Sequence, residues 1–504
     1  MTSSKRKIPA TMATQHPDHA NIPYWHTKPF IGTSLESEEA FNSFSELGIT
    51  EYKWDWEGKL VDESVLERFF ANHFDFFKQN PLGQERFLTY RLPNPKVETE
   101  FRLGRAYMNL ASAASVAKHF KLPSPPLFEV INPMTETPEE IFELQVAFEQ
   151  MHSLKHPLFK LENILTNLRI IPLFEQVQVI MDADKILEKY LSLYKAKFKK
   201  LPPYMRPYVA RSDPALNSGL IPTVLAIKIA LSHFSKLAEK TGIPMYPIIG
   251  AAALPFRGGL TPLTVSQFAN EYKGIRTTTI QSAFRYDFAK ETVIKAIAQL
   301  EELLPTLKTT IITAKEEKTI RELIPIFEQY YRKTIENIAP LINTIASQMP
   351  RRRERVQHVG LFGYSRGVGK VKLPRAISFT AAMYSIGIPP EVIGTGRSIH
   401  KAIALKQFDI IEKYYLNIKE DLLRAGKFLN KENLAKLAKQ NSSWEDIQKD
   451  ITYIEKYLGL SLGPKSSEEK EHQKITSKIF IALNKDLSFL ELIEQAALLR
   501  KSLG

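Results

Sequence analysis

The chain of 504 residues contains no cysteine. Disulfides, thiolate nucleophiles and cysteine-held zinc or iron–sulfur centres are therefore excluded. Any metal must rest on carboxylates, histidine or carbonyl oxygens. No stretch reaches the roughly 20 uncharged apolar residues that a membrane helix needs; the best, residues 221–231, is broken by Lys228. Lys5-Arg6-Lys7 is not followed by an apolar core, so no secretory signal is expected and a cytoplasmic location is. Zinc-finger spacing, RNA-binding aromatic motifs and a long basic arm are also missing. A net charge of +13 can indicate nucleic acid, but without those motifs neither nucleic acid nor a membrane is the expected partner. The charge fits lysine-rich solvated helix faces plus an arginine-lined pocket for an anion.

Two acids stand out from what is present. Arg169-Ile-Ile-Pro-Leu-Phe-Glu175 and Pro207-Tyr-Val-Ala-Arg-Ser-Asp213 are consecutive short apolar runs, each ending in a carboxylate. Both read as buried strands bounded by Pro, Ser or Asp. Carboxylates at the tips of successive strands make a clamp for a hard divalent cation, which takes oxygen ligands and keeps waters for substrate. The plainer alternative is two solvated acids at loop starts. Six further runs share the pattern, at residues 49–55, 86–91, 126–131, 244–249, 277–281 and 358–364. Most alternate with amphipathic helical segments, such as residues 61–78, 139–155, 183–199 and 223–240. The expected fold is α/β: a (β/α)8 TIM-like barrel with large all-helical insertions and a helical C-terminal region. Such a barrel keeps its chemistry at the strand C-terminal ends. Here those ends are Trp54 and Asp55, Arg91, Asn132, Glu175, Asp213, Arg257, Gln281 and Arg366. The ring is polar, mostly charged and rich in arginine, which favours a catalytic mouth over ordinary loop starts.

Residues 1–48, with Pro9, Pro17, Pro23 and Pro29, read as an irregular segment that contributes His16 to the site. Residues 49–373 are expected to hold the barrel, with a helical excursion at about 289–350 between strands seven and eight. Residues 374–504 read as a helical region packed on it, with a polar exposed loop at 463–474. No repeat of 20–50 residues is visible.

Three motifs carry further chemistry. In Thr14-Gln-His-Pro-Asp18 the proline holds His16 on a stiff turn, and imidazole suits proton transfer near neutral pH. A hydrogen-bonded surface histidine is the competing reading. In Phe256-Arg257-Gly-Gly259 the glycines let backbone approach a ligand, beside a guanidinium fork for carboxylate or phosphate. Arg351-Arg352-Arg353-Glu354-Arg355 enters the strand-eight side, where barrels often hold phosphate, and Arg366 and Arg375 follow. So many arginines over a cation site imply a polyanionic substrate or transition state.

Taken together, these motifs resemble phosphoenolpyruvate carboxylase of the short archaeal type. The resemblance spans almost the whole chain. It is carried by Thr14-Gln-His-Pro-Asp18, Phe87-Leu-Thr-Tyr-Arg-Leu-Pro-Asn-Pro95, Pro172-Leu-Phe-Glu175, Arg211-Ser-Asp-Pro-Ala-Leu-Asn217, Leu254-Pro-Phe-Arg-Gly-Gly259, Thr279-Ile-Gln-Ser-Ala283, Gly360-Leu-Phe-Gly-Tyr-Ser-Arg366, Gly394-Thr-Gly-Arg397 and Ser502-Leu-Gly504. It implies that phosphoenolpyruvate and bicarbonate give oxaloacetate and phosphate through carboxyphosphate and pyruvate enolate. It implies that Glu175 and Asp213 hold Mg²⁺ or Mn²⁺, that His16 takes the carboxyphosphate proton and that Arg257 stabilises that intermediate. Arg352 or Arg353, with Arg366 or Arg375, would grip phosphate; Arg91, Arg211 and Gln281 would complete the substrate rim. The resemblance also implies a homotetramer. The enolate must be shielded from water, which implies a mobile lid near residues 363–370.

This chain departs from the family in places. His19 stands where the family usually has asparagine. The lysine that the larger family members place just after the metal aspartate is replaced by Leu216, and Arg211 is expected to supply the missing charge. Two rival readings remain: a metal-dependent aldolase or lyase barrel acting on a pyruvate enolate, and a basic RNA-binding or scaffold protein.

Overall fold

Seven of the expected strand segments become barrel strands, and the eighth comes from elsewhere. A computed structural model describes residues 7–504 except 59, 99–100, 122–124, 154, 157–158, 161–167, 355–365 and 369–370. The strands are β1 (Thr11–Thr14), β2 (Glu51–Asp55), β3 (Phe87–Arg91), β4 (Glu129–Asn132), β5 (Arg169–Phe174), β6 (Tyr208–Ala210), β7 (Ile248–Gly250) and β8 (Thr277–Ile280). All neighbours pair in parallel, in chain order, and β1 closes the ring against β8 with Thr11 opposite Thr278. The segment 358–364, expected as strand eight, lies outside the described residues. Its place in the ring is taken by β1, from the segment expected to be irregular. The reason is local. Thr11-Met-Ala-Thr14 is too short and too small in side chain to show as an apolar run, yet each residue is buried. Met12 joins the barrel interior and Ala13 the surrounding helix layer, as strand alternation requires.

The same alternation organises β2. Tyr52 and Trp54 face the helices, while Glu51, Lys53 and Asp55 face the barrel axis, in rising order toward the mouth. The interior is layered. Arg206, fully buried at the floor, pairs with Glu51 at 2.6 Å and Glu129 at 2.7 Å and donates to Thr277. An apolar layer containing Met12, Ile131, Ile171 and Ile248 lies above it. Polar chemistry is thereby confined to the mouth. Arg206→Met strands two buried acids, so the melting free energy should fall by about 3–5 kcal/mol. Adding Glu51→Gln and Glu129→Gln should recover much of that loss. A single variant as stable as the parent would show that water reaches the floor.

The helices follow their local signals. Thr137 caps the helix Pro138–His152 by accepting from the Glu140 amide, with proline at the first turn. Leu220–Thr241 ends on Gly242 in the left-handed region. Among the described residues this is the helix long and apolar enough to cross a membrane, but 78% of its apolar window is buried inside the fold. Its Lys228 pairs with Glu271. Beyond β8, Lys290–Leu303 and the 33-residue helix Ala314–Ala346 follow the closed barrel rather than interrupting it. Residues 463–474, expected as a loop, are partly helical. Ser466 and Glu469 form a capping box that starts the helix Ser467–Asn484, and polarity on a solvated face hid it.

Gly394-Thr-Gly-Arg397 is a packing motif. Asp450 accepts from the amides of Gly394 and Arg397 and pairs with the Arg397 guanidinium at 2.8 Å. A Cβ on Gly396 would lie 1.9 Å from the Asp450 carbonyl oxygen. Gly396→Ala must therefore push Thr395–Ala404 off Ser442–Leu458, and an overpacking loss of about 1–3 kcal/mol is expected. An unchanged melting temperature would show that the two helices part freely.

Candidate active site

The barrel mouth opens into one cleft. β1 leads to Gln15 and His16, β2 supplies Lys53 and Asp55 and leads to Glu57, and β3 supplies Arg91. Glu175 follows β5, while Arg211 and Asp213 follow β6 beside Tyr208. Arg257 follows β7, Gln281 follows β8, and Arg375 enters from the start of the helix Ala376–Ser385. Eight of the eleven residues singled out in the sequence thus line one space: His16, Arg91, Glu175, Arg211, Asp213, Arg257, Gln281 and Arg375.

His16 is half-buried, with Nδ1 2.9 Å from Thr14 Oγ1. Its carbonyl accepts from the Ser282 hydroxyl at 2.6 Å. Burial, then the Lys53 ammonium, pull the imidazole well below its usual pKa, and Asp55 only partly opposes them. The ring is therefore a neutral base. His19 explains its own departure from the family pattern. It is buried between Ser282 Oγ at 2.9 Å and the Pro29 carbonyl at 2.8 Å, and burial lowers its pKa to about 3. The same Ser282 hydroxyl thus connects His19 to the backbone of His16.

Arg257 is the most constrained cation. It donates to Gln281 Oε1 at 2.7 Å and Ser212 Oγ at 3.1 Å, pairs with Asp18 at 3.3 Å and bonds the Gly504 carbonyl. Asp18 in turn accepts from the Ala283 amide, and its Oδ1 lies 3.0 Å from Ser282 Oγ. Burial raises the Asp18 carboxyl and lowers Arg257, yet a guanidinium keeps its charge. The glycine directly after Arg257 is required by the backbone and its packing. Gly258 has φ +120, and a Cβ there would meet the Ala251 Cβ at 2.9 Å.

Glu175 is buried and accepts from the Met134 amide at 2.8 Å. Asp213 is half-buried in the first turn of Ser212–Ser218. Across the mouth, Arg91 pairs with Asp55 at 2.8 Å and Glu57 at 2.7 Å. Burial would lower its pKa, but those two acids hold it charged. Among the described residues, no group of three or more acidic or imidazole side chains converges as a ready-made metal cage.

Three expected positions differ. The Arg211 guanidinium, although beside the cleft, bonds Tyr272 Oη and the carbonyls of Phe256 and Pro255. It clamps the Arg257 turn. Arg352 is buried against Glu494, and Arg353 against Glu36 and Glu39 at 2.6 Å. Neither lines the cleft among the described residues; both tie residues 352–353 to the N-terminal helix and the C-terminal end. Arg366 begins the hairpin strand β9 (Arg366–Val368), paired with β10 (Val371–Leu373), but its side chain lies outside the described residues. Most of the expected lid at 363–370 does so too. The sequence reading missed Lys53 and Glu57. The signal was there in Glu51-Tyr-Lys-Trp-Asp55, whose charged and aromatic residues alternate with the period of a strand.

The family profile for phosphoenolpyruvate carboxylase matches residues 8–504. The phosphoenolpyruvate carboxylase of Leuconostoc mesenteroides subsp. mesenteroides is 38% identical over 508 residues, covering 100% of both chains. That of Metallosphaera sedula is 39% identical over 520 residues, 99% of this chain and 100% of its own. That of Pyrococcus horikoshii is 38% identical over 434 residues, 84% of this chain and 89% of its own. A match along this length, on a barrel whose mouth gathers the motif residues, settles the affiliation: the chain belongs to the phosphoenolpyruvate carboxylase family, in its archaeal-type branch.

Proposed function

We propose that this chain converts phosphoenolpyruvate and bicarbonate to oxaloacetate and phosphate. The observation that carries this reading is the meeting of His16, Glu175, Asp213 and Arg257, from four separate family motifs, in one cleft. Glu175 and Asp213 suit Mg²⁺ or Mn²⁺. They are hard oxygen donors just beyond the C-terminal ends of neighbouring strands and line the same cleft. A bound dication supplies Lewis-acid polarisation of phosphoryl and enolate oxygens.

A bicarbonate oxygen attacks phosphorus, and the bond from phosphorus to the enol oxygen breaks. Carboxyphosphate and pyruvate enolate result. Neutral His16 takes the carboxyl proton, the carbon–oxygen bond to phosphate breaks, and CO₂ and phosphate form. The enolate carbon then bonds to CO₂. Arg257, pre-oriented by four partners, stabilises the charge on carboxyphosphate. Arg91, Gln281 and Arg375 orient substrate around it. Arg211, Arg352 and Arg353 act through the scaffold they brace. The same reading makes the enzyme a cytoplasmic homotetramer.

The test is a coupled oxaloacetate assay with phosphoenolpyruvate, Mg²⁺ and bicarbonate. Product is expected only with all three. Equal product without bicarbonate would reject carboxylation and favour the aldolase or lyase reading.

A further inference from the structure

The mouth holds one lysine among the described residues, and neither the family motifs nor the reaction steps above use it. Lys53 points from β2 into the cleft with its side chain 1% exposed. An ammonium so deeply buried is costly unless something anionic faces it. Its ion-pair partner is Asp55, at a long 3.4 Å. Asp55 is shared with Arg91, which sits closer at 2.8 Å. Three N–H donors on one ammonium thus meet half of one carboxylate.

The ring order says what the space beside Lys53 is for. β1 and β2 lie opposite β5 and β6 in the closed barrel. His16 and Lys53 therefore face the Glu175–Asp213 wall across the mouth. Arg375 enters from a helix packed against Ser212–Ser218, on the metal side. Lys53 is in register with Thr14, whose hydroxyl contacts the His16 ring. The group that gives its proton to His16 must lie on this wall, and that group is the carboxyl derived from bicarbonate. Of the other cations among the described residues, Arg375 stands across the mouth, Arg211 is held by the turn it clamps, and Arg257 and Arg91 already share their charge with acids, which leaves Lys53 the least compensated cation beside His16. The charge that Arg211 was expected to bring to the cleft is met instead by an ammonium from the opposite wall.

We propose that Lys53 is a catalytic residue that binds bicarbonate, and then the carboxyl end of carboxyphosphate, beside His16. This rests on the carboxylase reading. The charged groups nearest Lys53 are Asp55 on its own strand, Glu57 just beyond it, Arg91 from β3 and His16 from β1; across the mouth stand Glu175, Asp213, Arg257 and Arg375. Burial, then Arg91, lower the lysine to about 8, against the pull of Asp55 and Glu57.

Lys53→Met is expected to raise KM for bicarbonate about 10- to 100-fold, the effect of losing one charged hydrogen bond. KM for phosphoenolpyruvate should stay within about twofold, and Lys53→Arg should recover part of the bicarbonate affinity. A Met variant with unchanged bicarbonate KM overturns the assignment, even if its pH profile moves. So does a variant whose main defect is in phosphoenolpyruvate KM. A second measurement needs no variant. In the parent enzyme, KM for bicarbonate, corrected for carbonate, should rise as pH passes through about 8, where the ammonium loses its proton. A flat bicarbonate KM from about pH 7 to 9 sinks the proposal. If the parent enzyme makes no bicarbonate-dependent oxaloacetate, the carboxylase reading itself has failed, independently of Lys53.

Discussion

Asp213→Asn and Glu175→Gln should each lower kcat/KM for phosphoenolpyruvate by about 10²- to 10³-fold, and the double variant by more. Both changes keep side-chain volume and remove only charge. Among the described residues of the cleft, Glu175 and Asp213 are the two acids on the β5–β6 wall. Removing either leaves a dication with one formal charge to hold it, and the arginine-rich mouth repels it further. Mn²⁺ affinity should fall in parallel, which direct titration of the metal reads without any turnover. The melting temperature should change little, since Asp213 is only half-buried and the amide oxygen in Glu175→Gln can still accept from the Met134 amide. Variants that keep both activity and Mn²⁺ affinity would move the metal away from this pair.

His16→Asn should divide the reaction in two. Phosphate release still depends on bicarbonate, because attack on phosphorus does not need the imidazole. Oxaloacetate should drop by about 10²- to 10⁴-fold, the usual range for removing a general base. The enolate, left without CO₂, is protonated, so pyruvate should replace oxaloacetate as the product. The pH dependence has a definite sign. An ordinary histidine loses its basic form as pH falls through about 6.5. Burial and Lys53 keep His16 neutral below that point, so the fraction partitioning to oxaloacetate should hold at about pH 6. An unchanged product ratio in the Asn variant would exclude His16 as the base.

The Glu175–Asp213 wall was legible in the sequence because β5 and β6 are short apolar runs closely followed by an acid, Glu175 directly after β5 and Asp213 three residues after β6. Arg257 and Gln281 were legible for the same reason: strand ends map onto barrel mouths. Other features were hidden by physics that acts at a distance. β1 shows no apolar run, since a four-residue strand between two neighbours needs only Met12 inward and Ala13 outward. Arg352 and Arg353 looked like phosphate ligands because a charge cluster near a strand suggests one. Their partners Glu36, Glu39 and Glu494 are more than a hundred residues away in the chain, and only the fold brings them near. Lys53 was overlooked because the alternation of Glu51-Tyr-Lys-Trp-Asp55 puts it on one face of a strand without telling which face looks into the barrel.

The seam between β1 and β8 has a consequence for how the protein is made. Ser282 and His16, bonded across that seam, are 266 positions apart. At typical synthesis rates the first strand waits on the order of 10–50 s for its final neighbour to leave the ribosome. During that interval the nascent sheet carries an open edge able to recruit another chain. Aggregation should therefore arise chiefly during translation, and slower elongation across residues 55–277 should worsen it.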